Sequence, residues 1–266
     1  MRAIRFELRG ETAFFKKPDV NSYAYFTYSH IHKIALFGLL GAIIGLGGYA
    51  QQYEKNNASS ASKKSSGPSL AIYPEFYEVL RYAWVSIVPH GDRGYFAKKI
   101  QIFNNTVGYA SNEEGGVLNV REQWLEHPHW TIYIADHNGL PPGLFDKLAD
   151  YLLHSKAEYM PYLGKNDHPA SITRTAVINL DKPQDKPQFI DSLRAGHIAS
   201  ETYGEIKNRQ MQSYFKEYLP VALNEVNNGY ILEQLVFTNH EIDPDSLLDR
   251  DKERLFLDGE RVLYFI

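Results

Sequence analysis

Between Lys33 and Gln51 the chain carries an uncharged run, IALFGLLGAIIGLGGYA, and no fold is open to it that leaves Ile34–Leu46 in water. A membrane-spanning helix needs about 20 apolar residues, whereas Gly47 and Gly48 end this pattern early and Lys33 bounds it on the other side. The run therefore reads as a buried helix. Gly38, Gly41 and Gly45 fall near one of its faces, where they would let its backbone approach a sheet closely. Glycine lowers helix propensity, and close packing is the compensation expected. Gly45–Gly48 lacks the lysine and following serine or threonine of a phosphate-binding loop, so it reads as a helix stop and sharp turn.

A chain of 266 residues, 44% hydrophobic and 23% charged, is long enough to bury a real core around that helix. It holds no cysteine, which excludes disulfides, thiol nucleophiles and cysteine-ligated zinc, and fits a reducing compartment; the expected address is the cytoplasm. The N-terminal residues alternate charged and apolar side chains as a strand does, unlike a secretory signal. A formal net charge of -4 counts against nucleic acid when taken alone, because phosphate neutralisation supplies most of that affinity. The signs are segregated, however. Arg2, Arg5, Arg9, Lys16, Lys17 and Lys33 outnumber Glu7, Glu11 and Asp19, while Glu241, Asp243, Asp245, Asp249, Asp251, Glu253, Asp258 and Glu260 crowd the C-terminal stretch.

The pattern predicts strands at Ala3–Leu8, Tyr77–Val88, Trp130–Ala135 and Ile172–Leu180, with a second helix over Leu144–Leu153 where apolar residues recur at helical spacing. Residues 54–69, rich in Asn, Ser, Ala and Lys, read as a flexible loop. Hairpin-like material fills the interval from Asp92 to Pro128, with an alternating arm over Tyr95–Phe103. Strand, helix, strand, hairpin insertion, strand, helix, strand is the split βαβ arrangement of ferredoxin-like and RRM-like domains. The fold class is thus α+β: residues 1–180 as an RRM-like domain, and 181–266 as a C-terminal antiparallel β region with strands at Tyr214–Leu223 and Ile231–Thr238 and a hairpin around Asp258 and Gly259.

Histidines at positions 30, 32, 127, 129 and 137 complete no recognisable zinc pattern, so neither a metal nor a cofactor is expected. A nucleophile elbow, a Walker loop and a dinucleotide fingerprint are absent. Phe14–Tyr28 interleaves aromatics with lysines; rings that stack on unpaired bases and ammonium groups that meet phosphates suit single-stranded RNA, and a buried aromatic face has the same composition. His30, His32, Lys33 and Tyr49, close in sequence, are the types of residue that cleave RNA without a metal.

Several blocks carry a family resemblance. Phe6–Gly10 (FELRG), Ala13–Pro18 (AFFKKP), Asn21, Tyr28 and Ala35–Leu46 are similar to the opening strand, loop and glycine-bearing first helix of the Cas-five subunits of type I CRISPR complexes, members of the RAMP superfamily. Gln123–Pro128 (QWLEHP) leading into Ile132–Ile134, and Tyr162–Asn166 (YLGKN) with Pro169 and Ala170, resemble later motifs of the same family, most closely type I-B. The blocks span most of the first 180 residues in order, and the C-terminal third matches no motif. One departure stands before the first helix, where His30–Lys33 (HIHK) replaces a proline pair and an arginine common in the family.

The resemblance implies that the insertion over about 92–121 is a β-hairpin thumb. It also implies an antiviral ribonucleoprotein, Cascade, in which this subunit binds the 5′ handle of the crRNA, caps the Cas-seven backbone, contacts the large subunit and meets target DNA only through the complex. The expected RNA contacts are Lys16, Lys17, Asn21, Tyr28, Lys33, Tyr49, Lys98, Lys99, Lys165 and Arg174. The role expected is binding, with no catalytic residue; metal-independent processing of pre-crRNA, as type I-C relatives perform, is the alternative. A membrane-associated or purely structural protein is the third reading.

Overall fold

The computed structural model describes residues 1–19, 23–61, 72–105, 108, 112, 114–200 and 213–266. Strands β1 (Arg2–Arg9), β3 (Val85–Pro89), β6 (His129–Ala135) and β7 (Ser171–Asn179) form a sheet in the order β3-β6-β1-β7, each neighbouring pair antiparallel. Helix α1 (Lys33–Ile44) lies between β1 and β3 in the chain, and α4 (Leu144–Leu153) between β6 and β7, the order expected of a split βαβ arrangement. Alternation sorts β1: Ile4, Phe6 and Leu8 are fully buried, while Arg5, Glu7 and Arg9 point to the opposite face. The three buried residues join Leu36, Leu40 and Ile43 of α1 and Phe145, Leu148 and Leu152 of α4 in one apolar cluster. Each such side chain contributes about 1.5–3 kcal/mol by leaving water.

Helix α1 is buried nearly all round, with Ile34, Leu36, Phe37, Leu39, Leu40, Ile43 and Ile44 all inside. Among the described residues no single helix is long and apolar enough to cross a membrane. The helix stops where expected, at Gly45 (φ 81°), whose N–H turns back to the carbonyls of Gly41 and Ala42. Its glycines do not share the face expected of them. A Cβ on Gly41 would lie 2.5 Å from that of Phe76, so the close neighbour is a helix, α3 (Glu75–Leu80), and not a sheet; a Cβ on Gly38 would meet nothing within 4 Å. At the other end His32 is the N-cap, its Nδ1 accepting from the backbone N–H of Ala35 at 3.2 Å. His30 accepts from the indole N–H of Trp130 at 3.3 Å and lies edge-on to the rings of Phe96 and Phe215.

Two expected segments are corrected. The loop anticipated over 54–69 begins inside a helix, α2 (Tyr49–Ala61); residues 62–69 lie outside the described residues. A polar helix is stable here because its first turn is anchored: Tyr49 packs edge-on to Phe76 and the Gln52 amide donates to the Ile72 carbonyl at 2.8 Å. The strand expected over Tyr77–Val88 is α3 followed by a turn and the short β3. Phe76, Tyr77 and Leu80 bury one helical stripe, Pro74 is the N-cap, and Glu75 and Glu78 suit the positive helix end.

The expected hairpin is formed by β4 (Lys98–Asn105) and β5 (Leu118–Glu126), paired from Lys98 opposite Leu125 to Asn105 opposite Leu118 and extended by β2 (Thr12–Ala13). Its second strand runs past the anticipated end at Arg121 because the fully buried Leu125 ties it to the core. In the C-terminal third, β8 (Arg194–Ala195), β10 (Tyr230–Thr238) and β9 (Tyr214–Leu223) form a sheet in the order β8-β10-β9, and Leu219, Leu223 and Leu235 belong to the same cluster as α1. A short helix, α5 (Asp249–Glu253), precedes the hairpin of β11 (Leu255–Asp258) and β12 (Arg261–Tyr264), which covers the other face of the central sheet through Phe256, Leu263 and Phe265. There Asp258 accepts from Arg5 and from the Tyr133 hydroxyl, and these bonds hold its carboxyl below the usual range despite burial.

Two distant motifs meet at one point. Leu163, fully buried, packs where any side chain on Gly10 would stand, its carbonyl accepts from the Phe14 N–H at 3.1 Å, and Gly164 (φ 87°) presses against the Phe14 carbonyl. Gly164→Ala is predicted to destabilise by more than the roughly 1–2 kcal/mol of a left-handed conformation, because its methyl would also collide with that carbonyl. Gly38→Ala, on open helix surface, should stabilise by about 0.5–1 kcal/mol; denaturant midpoints of the two variants check both signs. Burial pushes His30 and His32 down to about 3, so the native chain refuses protons that the unfolded chain takes up. Their contribution to stability is therefore fully present above about pH 6.5 and is lost as pH falls toward 3, and His32→Asn, which keeps a cap acceptor, should flatten part of that loss in urea titrations.

Candidate nucleic-acid interface

An open groove of about 570 Å³ runs along α1. Ala35, Gly38 and Ala42 form its floor, and the missing side chain at Gly38 gives it depth. Four tyrosines from three separate elements line it: Tyr49 opens α2, Tyr159 and Tyr162 lie in the loop after α4, and Tyr230 opens β10. They are 47%, 61%, 46% and 38% exposed, so their rings are available at the surface while their backbones are fixed. Tyr49 is steadied edge-on by Phe76 and Tyr230 edge-on by His32. Partial burial pushes the Tyr49 hydroxyl up to about 12, which keeps it neutral and able to donate. Lys16 adds a basic side chain to the lining.

From Lys16 the aromatic and basic pattern continues onto the hairpin. The Lys16 ammonium lies 3.9 Å over the Tyr25 ring, and the Arg121 guanidinium 4.9 Å over Tyr23. Backbone bonds hold this loop along β5: the Tyr25 N–H donates to Arg121 at 2.9 Å, and the Gln123 N–H donates to Tyr25 at 2.8 Å. Groove and hairpin therefore share one edge of the molecule.

Of the residues expected to contact RNA, Lys16 and Tyr49 line the groove. Lys17 pairs with Glu217 at 2.7 Å, Lys99 with Glu126 at 3.3 Å, Lys165 with Glu122 and Asp167 at 3.2 and 2.9 Å, and Arg174 with Glu7 at 2.9 Å. The Lys98 ammonium donates to the Ser29 hydroxyl at 2.8 Å, and its pKa is lowered by desolvation. Tyr28 is 3% exposed and belongs to the core. Lys33 turns away to the Ile266 carbonyl, 3.0 Å distant, and lines a different cavity. Asn21 lies outside the described residues.

Of His30, His32, Lys33 and Tyr49, neighbours in sequence, only two share a site: His32, the cap of α1, and Tyr49 both line the groove, whereas His30 is in the core beside Trp130 and Lys33 faces the second cavity. Among the described residues no three His, Asp or Glu side chains come together as metal ligands. Sequence reasoning missed Tyr159, Tyr162 and Tyr230. With 19 tyrosines in the chain no single one stands out, although Tyr162 opens the YLGKN motif beside the lysine that was chosen.

No protein-family model matches the chain, and no curated protein matches it. Among solved structures it is similar to a chain of a CRISPR RNA-guided surveillance complex, at 13% identity over 94% of this chain and 96% of that one, with a TM-score of 0.47. A chain of the type III-B Cmr-beta complex bound to cognate target RNA and AMPPnP gives 10% identity, 98% coverage of both chains and a TM-score of 0.46. A CRISPR protein from Archaeoglobus fulgidus gives 8% identity over 99% of this chain and 98% of that one, with a TM-score of 0.43.

Proposed function

We propose that the chain is an RNA-binding subunit of a CRISPR effector ribonucleoprotein, of the Cas-five kind, and that it acts by holding single-stranded guide RNA in the groove along α1. The observation that carries this reading is the convergence of Tyr49, Tyr159, Tyr162 and Tyr230 on a glycine-floored groove that Lys16 also lines. Half-exposed rings on rigid elements are stacking platforms for unpaired bases, each worth about 1–3 kcal/mol, and they suit a 5′ handle that is single-stranded. In this reading the central sheet with α1 and α4 is an RRM-like domain, and the β4–β5 hairpin is a thumb that continues the RNA path through Tyr25, Tyr23 and Arg121.

The motifs that carry the Cas-five resemblance support it, because FELRG, AFFKKP and YLGKN meet around Leu163 and build the wall that holds Phe14, Phe15, Lys16 and Tyr162. Ion pairing within the chain supports a division of labour in this reading. Lys17, Lys99, Lys165 and Arg174 are neutralised by partners within the chain, so this subunit supplies stacking, while Cas-seven backbone subunits and the large subunit supply most of the phosphate contacts.

Fluorescence anisotropy with labelled repeat RNA in EDTA, with and without the filament subunits, tests the proposal. Binding should be weak alone, strengthen with the filament and leave the RNA intact. Tyr162→Ala and Tyr159→Ala should each weaken it by about 5- to 150-fold, the cost of one stacked base, and Gly38→Leu should block it by filling the groove. Unchanged affinity in all three variants would overturn the groove as the RNA site. Specific cleavage by the chain alone in EDTA would move it to the guide-processing class.

A further inference from the structure

A second cavity of about 480 Å³ lies where the start of α1, the turn after α3, strands β9 and β10, α5 and the end of β12 meet. Its charged side chains are Lys33, Arg81, His197, Arg250 and Arg254 against one acidic side chain, Glu233. This gathers cations in a chain whose net charge is -4.

None of Lys33, Arg250 and Arg254 lies within 4 Å of an Asp or Glu carboxylate among the described residues. Lys33 donates to the Ile266 carbonyl at 3.0 Å, and Arg254 donates to the Phe265 carbonyl at 3.0 Å with its guanidinium 5.2 Å over Trp84. The Nε of Arg81 is buried and makes no hydrogen bond. Arg81 and His197 do have acidic partners: another nitrogen of the Arg81 guanidinium lies 3.3 Å from the Glu78 carboxylate, and His197 is held at 2.9 Å from the fully buried Asp251. Lys33 also opens a helix whose first turn holds no acidic residue, so its charge adds to the positive helix end. Desolvation first, and then the nearby Arg254, depress its pKa to about 8, while Glu233 opposes the shift.

We propose that this cavity binds a compact multivalent anion bearing phosphate groups, up to the size of a nucleotide. A cluster of like charges in a partly desolvated cavity is unfavourable unless an anion completes it, and two guanidinium groups with an ammonium match the oxygens of a di- or triphosphate, or of a terminal phosphate ester. The volume falls in the range of small-ligand pockets, about 300–1,000 Å³. Glu233 offers one acceptor to a hydroxyl on the ligand. The site stands apart from the tyrosine groove and does not depend on the RNA reading.

Isothermal titration calorimetry at low salt, with the whole chain, tests this using pyrophosphate, 5′-AMP, and ribohexamers carrying a 5′-phosphate or a 5′-hydroxyl. Pyrophosphate should bind saturably, and the exposed Arg250→Gln variant should weaken it by about ten- to a hundredfold, the loss of one charge-assisted bond. Lys33→Met should do the same, with circular dichroism confirming the fold. Displacement of pyrophosphate by the 5′-phosphorylated hexamer but not by its 5′-hydroxyl counterpart would assign the phosphate to an RNA end, and displacement by 5′-AMP would assign it to a free nucleotide. No saturable binding of pyrophosphate, or binding that neither variant alters, would overturn the proposal.

Discussion

Everything in this chain is arranged around the burial of α1. The helix is apolar on nearly every side, and the fold gives each side a different partner: the central sheet with α4, the short α3, and the β9–β10 sheet. Where the partner must come close, the helix carries Gly41, which lets the backbone reach Phe76. Where no partner comes, it carries Gly38, and the gap becomes the groove. One helix therefore supplies the core and the floor of the candidate interface, and a change in its seating would be felt in both.

The walls of the groove depend on a second constraint, the clamp at Leu163 and Gly164. A left-handed glycine pressed on the Phe14 carbonyl fixes the loop carrying Tyr162 against the strand-loop segment carrying Phe15 and Lys16. Rings held this way lose little further entropy when a base stacks on them, so fixed tyrosines favour recognition of unpaired nucleotides more than mobile ones would. The polar residues before α1 follow the same logic. His32 caps the helix as a neutral imidazole and also presents its ring edge to Tyr28 and Tyr230, linking the helix start to the groove wall.

Much of the fold was legible in the sequence because strands and buried helices leave local periodic signals. The alternation in Ala3–Leu8, the stripe of Leu144–Leu153 and the apolar runs at 130–135 and 172–180 became β1, α4, β6 and β7. Elements whose stability comes from elsewhere were not legible. Helix α2 is anchored through Gln52 and Tyr49 to residues far along the chain, and α3 is too short for its stripe to stand out from a β-branched run. The same divide separates the site residues. A lysine shows its charge in the sequence but not its partner, so Lys17, Lys99 and Lys165 looked available and are paired. A tyrosine shows neither burial nor company, so the four that line the groove emerged only when three distant segments came together.

The central claim, that the tyrosine groove is the RNA-binding surface, is tested most directly by photocrosslinking. Repeat RNA carrying 4-thiouridine at successive handle positions would be irradiated with the chain and its filament subunits, and the crosslinked peptides sequenced by mass spectrometry. Crosslinks at Tyr49, Tyr159, Tyr162 or Tyr230, continuing to Tyr25 or Tyr23 as the label moves along the handle, are the predicted result. Crosslinks confined to the opposite face of the central sheet, around Arg9, His129 and Arg174, would contradict it.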